Sequence, residues 1–122
     1  MYDSETLNEL NRLNFEDFLW IIFAALCIAN VYGDYNDKEY LKTHNPSFQA
    51  RSNQVFEFTL IVTFFIYIYF LSRNYKFYQK VPEHEKQLYL VKVLGSCFLL
   101  AGSICLIYFQ TRQNSFLGSP AL

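Results

Sequence analysis

The stretch VFEFTLIVTFFIYIYFL, residues 55–71, decides how this chain folds. In 17 residues it holds one charge, Glu57, two threonines and two tyrosines, and everything else is apolar. As a helix it covers about 25 Å, so two or three more residues at either end carry it across a hydrocarbon layer of about 30 Å. A second apolar run, FLWIIFAALCIANVY, precedes it at residues 18–32, and a third follows between Leu88 and Phe109. The pattern predicts an all-α integral membrane protein with three transmembrane helices and helical extensions outside the bilayer.

Composition agrees with this pattern. A chain of 122 residues that is 52% hydrophobic and 20% aromatic carries more apolar surface than a soluble domain of that size can bury. Lipid removes the need to bury it. The charges lie between the apolar blocks, which is why mean hydropathy is only +0.08. A net charge of −1 offers no basic face for nucleic acid. The first fifteen residues hold three acids and one arginine, unlike a basic secretory leader or an arginine-rich presequence.

Outward from the central run, residues 1–14 are expected to form a short amphipathic helix, with Thr6 and Glu9 placed as a capping box. Span 1 covers residues 16–35, anchored by Trp20 at one interface and Tyr32 and Tyr35 at the other. Residues 36–52 are expected to form a loop with its turn at Asn45-Pro46. Span 2 starts near residue 53 and runs to residue 80, since nothing between breaks a helix. Residues 82–111 form span 3, with Pro82 at its first position, and residues 112–122 form an irregular tail.

Polar groups at membrane depth define the candidate site. Glu57 and Asn30 fall near one interface, and Lys92 shares the other with Glu16 and Asp17, which suggests two local pairs. Intramembrane ionisable groups also mark ion or substrate paths, so a homo-oligomeric transporter using Glu57, Asn30 and Lys92 is the alternative. Past Leu71, Arg73, Lys76 and Lys80 interleave with Tyr75 and Tyr78, a collar for anionic phospholipid headgroups or another subunit. Small residues mark packing faces: Ala25 and Ala29 in span 1, and the heptad-spaced pairs Gly95 and Gly102, Ser96 and Ser103 in span 3.

Chemistry is sparse. His44 and His84 fall in links on opposite sides of the membrane, and no serine, histidine and acid share a motif. Cys27, Cys97 and Cys105 lie inside spans as small packing residues. No metal, catalytic residue or tightly held cofactor is expected, and bound lipid is the only ligand. Basic residues 12, 73, 76, 80, 86 and 92 outnumber 38, 42, 51 and 112, placing the N-terminus on the matrix or cytoplasmic side. The expected role is a non-catalytic accessory subunit of a larger membrane complex. Respiratory and other energy-transducing complexes, above all in the mitochondrial inner membrane, gather many such small spans. A regulatory or immunity-type membrane protein is a further alternative.

Overall fold

The computed structural model describes residues 3–121, and the expectations for residues 1, 2 and 122 lie outside them. Helix α1 spans Ser4–Thr43, α2 spans Pro46–Lys80 and α3 spans Lys86–Arg112, with a single 3-10 turn at Glu83–Glu85 before α3. Three long apolar helices, consistent with transmembrane helices, make up the protein; it is all-α, with no sheet among the described residues.

Local chemistry sets each boundary. Asp3 caps α1 by accepting a hydrogen bond of 2.7 Å from the Thr6 amide, satisfying one of the unpaired donors of the first turn. At the other end His44 adopts a left-handed conformation (φ 57°) and its amide donates to the Tyr40 carbonyl. Asn45 then accepts from the Ser47 amide while Pro46 takes the first position of α2, where proline's missing N–H costs nothing. The side chain of Lys86 closes α2, donating to the Tyr78 carbonyl at 2.9 Å with its ammonium 4.8 Å from the Tyr78 ring centroid.

The structure corrects three expected boundaries. The loop expected at residues 36–52 is helical except for His44 and Asn45, because residues 36–43 hold neither proline nor glycine and Pro46 begins a helix as readily as it ends one. The N-terminal helix is continuous with span 1, since nothing between residues 14 and 16 breaks it. Pro82 is extended (ψ 158°) and the α-helix starts only at Lys86.

Helix α2 is central. Both α1 and α3 pack on it, and no Cα of α1 lies within 8 Å of one of α3. The interior is unusually polar: among the described residues Glu16, Asn36, Asp37, Ser52, Thr59, Asn74, Ser96, Ser103 and Gln110 are buried, against only Leu26, Phe56, Leu60 and Ile66 of the larger apolar ones. Outward-facing residues include Phe18, Ile21, Ile28, Phe58, Phe65, Leu88 and Phe98. Hydrocarbon rewards this inversion, since lipid tails are as apolar as leucine while polar groups must find partners inside the protein. The chain is a small membrane protein with three transmembrane helices.

Candidate functional site

Two polar clasps join α1 to α2. Glu16, 4% exposed, accepts hydrogen bonds from Arg73 Nη1 at 2.9 Å, Arg12 Nη1 at 2.8 Å and the Tyr69 hydroxyl at 3.1 Å. Arg73 is held further by Asn74 Oδ1, and Asn74 Nδ2 donates to Ser96 Oγ at 2.6 Å, so the network reaches α3. Arg12 also pairs with Glu9 at 2.8 Å, which balances the two guanidiniums with two carboxylates. A buried charge is tolerable only when paired and hydrogen-bonded in this way.

The second clasp centres on Asp37. One carboxylate oxygen accepts from Ser52 Oγ at 2.5 Å and the other from the Gly118 amide at 2.7 Å. The tail therefore folds back over the α1–α2 turn, helped by Gln49 Nε2 to the Asn114 carbonyl and Gln113 Nε2 to Asn53 Oδ1. Gly118 holds φ 100°, a conformation that glycine adopts without penalty. Nearby, Asp34 Oδ1 and Asn36 Oδ1 are buried with no hydrogen-bond partner among the described residues.

Between the clasps, Thr59 Oγ1 donates to Asn30 Oδ1 at 2.9 Å, and Gly33 faces the ring of Phe56. A Cβ on Gly33 would sit 2.5 Å from Phe56 Cε1, so the Phe56 ring fills the space that any side chain at position 33 would need. Four of the contacts between α1 and α2 follow one count. Back from His44 and forward from Asn45, Asp37 and Ser52 are each 7 residues away, Gly33 and Phe56 are 11, Asn30 and Thr59 are 14, and Glu16 and Arg73 are 28. Offsets of 7, 14 and 28, with 11 falling four residues after 7 as in the alternating four-and-three spacing of a heptad, keep one seam of an underwound helix pair facing its neighbour. From clasp to clasp each helix advances about 21 residues, or about 31 Å, close to the thickness of a bilayer's hydrocarbon.

The two expected pairings do not form. Asn30 bonds Thr59 rather than Glu57, because both face the seam and Glu57 is turned away from it. Glu16 pairs with Arg73 and Arg12 rather than Lys92, because α1 and α3 flank α2 without meeting. Asp17, Glu57 and Lys92 are exposed. Asn30, Glu57 and Lys92 thus face different surroundings and do not line a common path within one chain.

The collar residues also divide. Arg73 is drawn into the clasp, while Lys76 and Lys80 stay exposed and Tyr75 stacks with Tyr78 at 6.3 Å between centroids. Of the small residues in α3, Ser96 and Ser103 are buried, whereas Gly95 and Gly102 are exposed with open space where a Cβ would sit. Ala25 is exposed and Ala29 half-buried. All three cysteines are free and exposed. Between the helices lies a cavity of about 650 Å³, walled by Asn30, Tyr67, Phe98 and Leu106 with Ser119 and Ala121 of the tail.

Sequence reasoning passed over Asp37, Ser52, Gly33 and Asn74. The signal for the first three was the mirror count about Asn45-Pro46, which becomes usable once the turn is known to be two residues long. Comparison with protein-family models, with curated proteins and with solved structures returns no match for this chain.

Proposed function

We propose that the chain is a non-catalytic accessory subunit that packs into a larger membrane assembly. The observation that carries this reading is the open arrangement of the helices: α1 and α3 pack on α2 with no Cα of one within 8 Å of the other, which leaves a cleft between them. In α3 only 11% of the most apolar stretch is buried within the chain. Among the buried polar groups, Glu16, Asp37, Ser52, Thr59, Asn74, Ser96 and Gln110 bond from one helix to another, and the clasps sit at the two ends of the apolar layer rather than along its midplane. Such an open arrangement leaves much apolar surface, Ile28, Phe65 and Phe98 included, for neighbouring spans.

The favoured setting is a respiratory or other energy-transducing complex, with the mitochondrial inner membrane ahead of a bacterial plasma membrane. Its support is the habit of such complexes of collecting small spans around a catalytic core. The excess of basic residues at the Glu16–Arg73 end supports an N-terminus on the matrix or cytoplasmic side. Exposed Lys76 and Lys80 beside the Tyr75–Tyr78 stack suit an anionic phospholipid headgroup at that interface.

Purification from native membranes in mild detergent, followed by native mass measurement and peptide identification, tests the reading. One hetero-oligomeric complex of reproducible composition is the expected result. A monomer or a closed homo-oligomer would overturn it.

A further inference from the structure

We propose that the α2 face carrying Glu57 docks against a transmembrane helix of a different subunit, one that sets a lysine or arginine opposite Glu57. The proposal rests on the accessory-subunit reading and adds to it the face used and the chemistry of the partner.

Glu57 is exposed and lies about 7.5 Å along the helix inside Ser52, within the apolar layer. The ion pairs of the chain use Glu9, Glu16 and Glu39, leaving Glu57 without one among the described residues. By the mirror count its opposite position on α1 is Tyr32, which stacks on Tyr35 instead. Glutamate has too short a stem to lift its charge far toward water as lysine and arginine do. A carboxylate so placed calls for a cation or donor from outside the chain.

The surroundings narrow the choice of partner. Phe58, Ile61, Phe65 and Ile68 are exposed, and with Glu57 they form an apolar stripe at helical spacing with one charge near its end. This matches the helix-in-groove scale of contact rather than a loop or a soluble surface. A second copy inserted in the same orientation sets no cation at the depth of Glu57, because residues 17–36, 53–72 and 97–109 contain no lysine or arginine and Lys92 lies toward the opposite interface. Charge complementarity therefore points to a different chain with a basic residue in its own span.

The test places a photo-crosslinking amino acid at Ile61 or Phe65 in the full chain, expressed in its native membrane, with Ile28 on α1 as the control position. The expected result is a crosslink from α2 to one transmembrane helix containing a lysine or arginine. Glu57→Lys should lower co-purification of that subunit at least ten-fold, and changing the partner's basic residue to glutamate should restore it. The melting temperature of the isolated Glu57→Lys chain in detergent reports whether it still folds, and Glu57→Gln provides a second variant if it does not. Crosslinks only to lipid or to a second copy, or a complex indifferent to Glu57→Lys, overturn the proposal. If the wild-type hetero-complex persists while Glu57→Lys has no effect, only this inference falls; if the wild type forms no hetero-complex, the accessory reading falls with it.

Discussion

Arg73 Nη1 lies 2.9 Å from Glu16 Oε1, joining two helices at positions 57 residues apart in sequence. Removing the carboxylate leaves Arg73, only 18% exposed in its side chain, without a counter-ion. Glu16→Gln is expected to cost about 3 kcal/mol. A double-mutant cycle with Arg73→Met should return a coupling of about 2 kcal/mol. Trp20, whose ring is 5.4 Å from that of Phe70 across the same interface, provides the fluorescence signal for unfolding in detergent.

The ring of Phe56 on α2 packs where a side chain at Gly33 on α1 would sit. Phe56 is 1% exposed and has little room to yield, so Gly33→Val should destabilise the chain by about 2 kcal/mol. Gly95→Ala and Gly102→Ala meet open space and should leave the unfolding midpoint of the isolated chain unchanged or slightly raised. Equal losses at all three glycines would contradict the assignment of Gly33 as the contact point.

Asp37 holds the tail through the Gly118 amide. In Asp37→Ala that bond and the Ser52 contact are lost together. Amide exchange across residues 114–121 should accelerate about ten-fold or more, as expected for local opening of a segment tied by few contacts, while the central parts of α1 and α2 keep their protection. Unchanged exchange in the tail would show that Gln49 and Gln113 suffice to hold it.

At the start of α1 the sign of a pH effect can be worked out. The Thr6 amide bonded to Asp3 holds that carboxyl below its ordinary value. The cap is fully present above the unfolded value of about 3.9 and is lost as pH falls through the lower folded value. The Thr6 amide resonance should therefore shift, and the first turn fray, only in strong acid. Asp3→Ala should show the frayed spectrum at neutral pH.

His44 is a non-glycine residue in the left-handed region. Replacing it with glycine should raise stability by about 1 kcal/mol, measured by the same fluorescence unfolding. A loss instead would mean that the edge contact of its ring with Tyr40, 6.1 Å between centroids, outweighs the backbone strain.

Hydropathy made the three spans legible, because apolar blocks long enough to cross a bilayer stand out in any order. Pairing across helices was not legible in the same way. It depends on which side of a helix a residue faces, and an expected loop at residues 36–52 removed the fixed point from which to count. With the turn at His44 and Asn45, Glu16 falls opposite Arg73 and Asn30 opposite Thr59. Glu57, two residues from Thr59, then faces outward rather than toward Asn30. The role of Asp37 was hidden for another reason, since the Gly118 amide comes from a tail whose composition gives no sign of where it returns.

Two clasps on one helix pair also govern how the protein answers the membrane around it. A pair fastened at a single point could shear, one helix sliding along the other until each matched the local lipid. Fastened at both Glu16–Arg73 and Asp37–Ser52, α1 and α2 must tilt as one body. Where the bilayer differs from the clasp spacing by more than tilt absorbs, it is the lipid that has to stretch or compress.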